Sequence, residues 1–332
     1  MYLLGIDIGG TKCAVVLAKG VSANGIICEG IADRYEFETM AAKRGPDSVL
    51  EELAFSAEKI FKRNFIRAID IAKIGISCGG PLDSERGIIK SPPNLPGWDD
   101  VHIKEFFEKR FYVPVYLQND ANACALAEHR FGAGKGYKNV IFLTCGTGMG
   151  AGIIINGELY TGRNDMAGEV GHISLSEQGP LGYGKRGSFE GYCSGNGIAN
   201  LAFEKLKEWT KSGNKSSLSA NLEKGELSAK AVFEAMYAGD ELAKRVMTTS
   251  AEFLGKGIAV LADILNPEIV IIGSIFTRNA DFYLPIVTET VKREALRECS
   301  EDLKIVPSML GDSIGDYAAL GIIVDNIELT DN

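Results

Sequence analysis

The chain has 332 residues, 45% of them hydrophobic and 24% charged, enough to fill two domain cores. Its net charge of −9 repels nucleic acid and anionic membrane surfaces, so small-molecule partners are expected. Cys13, Cys28, Cys78, Cys124, Cys145, Cys193 and Cys299 form no CxxC pair and read as free thiols of a reducing compartment.

The start, MYLLGIDIGGTK, has no basic leader. No later stretch approaches the roughly 18 apolar residues of a spanning helix, so a cytoplasmic protein with no membrane partner is expected. YLLGIDIGG, CAVVLAKG and GIICEGIADRY are short β-branched runs split by glycines, which predicts a β-meander. Val49, Leu50, Leu53, Ala54, Ala57, Ile60 and Phe61 share one face at helical period, and IAKIGISCG then resumes a strand. Beyond the Pro-rich SPPNLPGW, the pattern predicts a helix over Val101–Phe111, a strand at PVYLQND and an Ala-rich helix opening at Asp120. NVIFLTCGTGMGAGIIINGEL repeats the strand–glycine turn–strand of the opening about 137 positions later, with Gly146 opposite Gly9. Helices at Asn196–Lys211, Ala229–Ala238 and Glu241–Leu265 follow, then the strand EIVIIGS, a helix over Phe282–Cys299, the strand KIVPSML and a helix over Tyr317–Val324. Alternating strands and helices give an α/β class. Two halves that each open on a glycine-tipped hairpin imply two domains around a central cleft. The expected division is 1–119, joined by a C-terminal helix in 313–332, and 120–312.

In DIGGTK, Gly9 and Gly10 permit positive φ and let backbone N–H groups approach an anion, while Thr11 and Lys12 add a hydroxyl and a charge. A tight hairpin is the bland alternative, but the second turn at Gly146, Thr147 and Gly148 supplies a pair suited to one polyphosphate. Neither turn is a P-loop or a Rossmann GxGxxG. Asp7, at the end of the first strand, could hold Mg²⁺ through water or simply end a strand. Asp120 sits where a strand gives way to a helix, a position for either a general base or an N-cap. Glu169 and His172 in AGEVGHI could grip vicinal hydroxyls, whereas His102 and His129, on presumed helices, read as structural.

In order, DIGGTK, SPPNLPGW, QNDANACALAE, GTGMGAG and AGEVGHI resemble the ROK family of bacterial sugar kinases and sugar-responsive repressors. The match continues to LNPEIVIIGS and GDSIGDYAALGI. The resemblance implies an actin-like, ribonuclease-H-like ATPase fold closing on ATP and a hexose, usually as a homodimer. It makes Asp120 the general base and puts Asn94, Asn119, Asp120, Glu169, His172 and Glu190 on the sugar. Asp7, Gly9, Gly10, Thr11 and Lys12 fall on the Mg²⁺ and γ-phosphate side, Gly146, Thr147 and Gly148 on the phosphate tail, and Gly273 beside the adenosine. Ser274 stands where the family usually has a second glycine.

The loop GPLGYGKRGSFEGYCSG, residues 179–195, resembles the CxCGxxGCLE segment of zinc-bearing members, with Leu181, Tyr183 and Ser188 in the cysteine places. No structural zinc is expected. Packing by Leu181, Tyr183 and Phe189 should hold the loop instead, leaving His172 to the sugar. Cys193 as a substitute ligand leaves a site short of four donors. The implied activity is ATP-dependent phosphorylation of a hexose or N-acetylhexosamine at the 6-hydroxyl, as in a glucokinase. The alternatives are another actin-fold phosphotransferase and a sugar-sensing ROK-type regulator. The latter needs an added N-terminal winged helix, whereas this chain opens on its first core strand.

Overall fold

The computed structural model describes residues 1–20 and 30–325. Cys28, the opening of GIICEGIADRY and the end of segment 313–332 lie outside the described residues.

The chain runs through β1 (Tyr2–Ile8), β2 (Lys12–Lys19), β3 (Gly30–Glu38), α1 (Pro46–Arg63), β4 (Ile71–Cys78), a short ribbon of β5 (Leu82–Asp83) and β6 (Ile88–Ile89), α2 (Ile103–Phe111), β7 (Val115–Asn119) and α3 (Asp120–Phe131). It continues through β8 (Val140–Cys145), β9 (Met149–Ile155), β10 (Glu158–Leu159), the ribbon of β11 (Leu181–Gly182) and β12 (Lys185–Arg186), α4 (Phe189–Cys193), α5 (Gly195–Lys211), α6 (Leu218–Glu223), α7 (Ala229–Tyr237) and α8 (Glu241–Leu265). The last elements are β13 (Ile269–Ile272), α9 (Ile275–Arg278), α10 (Ala280–Glu294), α11 (Arg297–Ser300), β14 (Lys304–Pro307) and α12 (Ile314–Asp325).

Two five-stranded sheets carry the fold, in the orders β3–β2–β1–β4–β7 and β10–β9–β8–β13–β14. Position for position these are one topology used twice, which is the physical form of the sequence repeat. In the first sheet β1 pairs antiparallel with β2 and parallel with β4, and β4 pairs parallel with β7. The chain divides into two compact units, one of residues 1–138, 152–167 and 309–332, the other of 139–151 and 168–308. Helix α3 thus groups with the first unit, where the sequence suggests that the second domain begins.

In the first unit, α12 lies on β1 and β4. Its approach requires glycine beneath it, because a Cβ on Gly75 would come 2.1 Å from the Ala319 carbonyl oxygen. In the second unit α8 is the central helix, packed by α4, α5, α7 and α10. Its ends match the sequence expectation because both are capped: Asp240 accepts from the Ala243 N–H at 3.0 Å, and Asn266 closes it in the left-handed conformation.

Three boundaries differ from expectation. The helix expected over Phe282–Cys299 is two, since Ala295 is extended and the Leu296 N–H donates to Asp263 Oδ1 at 2.9 Å. The second helix starts at Ile103 because Val101 is bridged to Ile89. The last starts at Ile314. Among the described residues no helix is long and apolar enough to cross a membrane.

Candidate active site

Register builds the first unit's site. Ile8 pairs with Cys78, and Cys78 with Asn119, so the three parallel strands end side by side. The residues that follow, Gly9, Gly79 and Asp120, therefore share one edge, the carboxyl end where α/β sheets take their ligands. Asn119 is the N-cap of α3 and accepts from the Ala121 N–H at 3.0 Å; Asp120 is its first helical residue. The capping role weighed for Asp120 thus belongs to its neighbour. The exposed Asp120 carboxylate is steadied by the same N–H, which Oδ1 accepts at 2.8 Å.

The first glycine turn works by space rather than by handedness. Neither Gly9 nor Gly10 is among the glycines at positive φ, contrary to the sequence reading. A Cβ on Gly10 would stand 2.6 Å from the Asn94 carbonyl oxygen, so the turn lies directly on Asn94. The amide of Asn94 in turn approaches Gly79, and that of Asn119 approaches Gly80. Thr39 fastens the turn, its hydroxyl donating to the Gly9 carbonyl at 2.6 Å and its N–H to the Thr11 carbonyl at 2.9 Å.

Burial pushes the Asp7 carboxyl up from an ordinary 3.8 to about 7. A hydrogen bond from Ser77 works against this, the charges of Asp120 and Asp316 add to it, and Lys12 opposes it. A carboxyl facing two others keeps its proton near neutrality unless a cation offsets the charge. Asp7 with Asp120 and Asp316 suits a hydrated Mg²⁺, which retains several waters. Among the described residues no group of three or more His, Cys, Asp or Glu could hold a metal ion directly. Lys12 is mostly exposed and pairs with Glu36 at 2.9 Å. Glu36 also takes Arg34 at 2.6 Å, and Arg34 grips Asp316 at 2.9 Å.

In the second unit, Gly146 and Thr147 open on a cavity of about 610 Å³. Asn196, Lys230, Tyr237 and Arg278 also line it. The start of α5 is tied to the turn, the Gly195 N–H donating to the Gly146 carbonyl at 2.7 Å. A helix N-terminus beside a glycine turn suits an anion, and the apolar wall of Leu227, Phe233 and Ile275 suits a flat ring. Sequence reasoning missed these lining residues. The one local signal was the helix start CSGNG, since α7 and α9 are brought in by tertiary packing. Gly273 does not line the cavity; its Cβ would stand 2.9 Å from Phe142 Cζ, so it serves strand packing. Ser274 holds φ 57° and ψ −118°, which explains why glycine suits that position.

Glu169, His172 and Glu190 are gathered on the second unit by one residue, Tyr183. Its hydroxyl donates to Glu169 Oε2 and its N–H to Glu190 Oε1 at 2.8 Å. Its ring meets His172 edge-on, with centroids 5.1 Å apart. Glu190 Oε2 accepts from the Met149 N–H at 3.0 Å, beside Gly148.

The loop is not held as the sequence reading has it. Leu181 is half exposed and Tyr183 makes mainly polar contacts, leaving Phe189 as the one of the three that is buried. Its ring lies on Gly257 of α8. Tyr192 adds a second anchor, stacked on Phe253 at 3.5 Å. A zinc ligand set does not fit. Leu181 has no donor atom, the Ser188 hydroxyl caps α4 by accepting from the Gly191 N–H at 3.0 Å, and the buried Cys193 thiol faces the Ser250 carbonyl. Burial also pushes the thiol of Cys13 up to about 11 and that of Cys145 to about 12, so both stay protonated and inert. His129 is structural, its Nε2 on the Tyr137 carbonyl at 2.9 Å, while His102 precedes α2 rather than lying on it.

The ROK family model matches residues 3–324. A glucokinase of Halalkalibacterium halodurans is 34% identical over 319 residues, 95% of this chain and 92% of that protein. A xylose repressor of Caldicellulosiruptor bescii is 28% identical over 326 residues, 98% of this chain and 78% of that protein. The crystal structure of a ROK family glucokinase from Streptomyces griseus, in complex with glucose and AMPPNP, superposes with a TM-score of 0.73 at 28% identity, covering 96% of this chain and 98% of that one. A match over nearly its whole length, together with the doubled sheet topology, makes this chain a member of the ROK family with its actin-like ATPase fold.

Proposed function

We propose that the protein is an ATP-dependent hexose kinase that phosphorylates the 6-hydroxyl of glucose or an N-acetylhexosamine. The observation that carries this is the shared edge of the first sheet, where the exposed Asp120 carboxylate stands with Asp7, Asn94, Asn119 and the Gly9–Gly10 turn. Asp120 takes the proton of the sugar hydroxyl as its oxygen bonds to the γ-phosphorus. The bond from that phosphorus to the bridging oxygen breaks, and ADP leaves. The family resemblance makes Asn94, Asn119, Glu169, His172 and Glu190 the sugar ligands, each meeting hydroxyls through its amide, carboxylate or imidazole. The turn of Gly146, Thr147 and Gly148 and the cavity beside it take the nucleotide. Mg²⁺ near Asp7 would supply neutralising charge for the phosphates. The resemblance puts Lys12, exposed and paired with Glu36, on the γ-phosphate side. A homodimer and a cytoplasmic location are part of the same reading, supported by the family resemblance.

A coupled ADP-release assay over glucose, mannose, fructose, N-acetylglucosamine and N-acetylmannosamine tests it. Turnover of at least one is expected; no release above the ATPase background with any of them contradicts it. The similarity to a xylose repressor favours one other reading, a sugar-binding regulator. That reading predicts saturable sugar binding without turnover.

A further inference from the structure

We propose that Tyr183 is the positioning residue for Glu169, fixing the direction in which that carboxylate meets the sugar and thereby helping to choose among hexoses. This rests on the reading of Glu169 as a sugar ligand. Tyr183 takes the place of a cysteine in the segment that resembles the zinc-bearing loop, and its hydroxyl and ring make contacts that a cysteine side chain could not span. Its hydroxyl, backbone N–H and ring reach Glu169, Glu190 and His172 respectively. Its backbone sits at φ 52°, a conformation costly for a side-chain-bearing residue and retained where the surroundings over-determine it. Those surroundings are the Glu190 carboxylate, strapped to the Met149 N–H at its other oxygen, and the hydrogen-bonded ribbon of β11 and β12 on which Tyr183 is the turn. Burial and the Glu169 carboxylate push the phenol well up from its ordinary value, so it stays a donor. A carboxylate has about four lone-pair directions, and one spent on Tyr183 leaves the others aimed in fixed directions for vicinal hydroxyls. The phenol and the backbone N–H of Tyr183 thus tie this loop to two carboxylates read as sugar ligands.

The test compares the parent protein with Tyr183→Phe, Glu169→Ala and the double variant, using the hexose that the parent turns over fastest. Tyr183→Phe keeps the ring and backbone N–H and loses only the hydroxyl. Its KM for sugar should rise about 5- to 30-fold, less than the full worth of a hydrogen bond to a charged group because the Glu169 carboxylate itself remains. Its kcat and its KM for MgATP should stay within about twofold, and the sugar Kd measured without nucleotide should rise in parallel. Because the effect passes through Glu169, the double variant should be no worse than Glu169→Ala alone. A sugar KM within about twofold of the parent overturns the proposal. So does an additive double variant, or a parallel loss for sugar and MgATP with a lowered Tm, which marks a merely structural residue. If the parent itself neither binds nor phosphorylates any hexose, the kinase reading fails first and takes this inference with it.

Discussion

Asp7→Asn should make the protein more stable in mildly alkaline solution, although Asp7 occupies the candidate site. The native carboxyl is pushed from 3.8 to about 7, so the folded state holds a proton that the unfolded state has released. Between these values the folded state binds more protons, and stability contributed by this group falls as pH rises from about 4 to about 7, then stays flat. At about 1.4 kcal/mol per pH unit the full penalty would be about 4 kcal/mol; because the site relaxes and admits water around the charged form, about 2 kcal/mol is expected. Asparagine keeps an acceptor for Ser77 and removes the charge. Its advantage should be small below pH 4, grow through pH 5 and be complete by about pH 8, where Tm should rise by roughly 4–8 °C. Thermal unfolding of parent and variant across this range reads the gap directly. Mg²⁺ should narrow the gap, because only the parent has a charge there to offset. An equal gap at pH 5 and pH 8, or a parent more stable at pH 8, would refute the electrostatic account of this edge.

Two further outcomes follow from local geometry. Ser274→Gly relieves a left-handed serine and should gain roughly 0.5–1 kcal/mol, about 1–3 °C in Tm; a loss of more than about 1 kcal/mol would show that the serine hydroxyl earns its strained position. Elemental analysis should find less than about 0.1 zinc per chain, with chelator leaving Tm unchanged, since the loop offers no tetrahedral donor set; one zinc per chain would contradict that.

The doubled glycine hairpin was legible in the sequence, and it corresponds to two sheets of one topology. The long helix α8 was legible to the residue because its signals are local: an apolar stripe, an aspartate before it and an asparagine after it. The break between α10 and α11 was not, because it is fixed by Asp263, more than thirty positions away. The sequence offered an N-cap at Asp120 as the alternative to a general base, whereas the cap is Asn119, since both residue types cap helices and only register decides. For the Gly9–Gly10 turn the sequence reading rested on positive φ, whereas at Gly10 the requirement is the close approach of Asn94, some eighty residues away. Tyr183 shows the same limit: its replacement of a cysteine was visible, while its three partners emerge only from folding.

The most direct measurement is of Asp120→Asn, assayed for phosphorylation and for sugar affinity side by side. A general base contributes roughly 10² to 10⁴, so kcat should fall by that factor while sugar Kd changes less than about threefold. A variant that phosphorylates its sugar at the parental rate would leave Asp120 as an ordinary first residue of a helix.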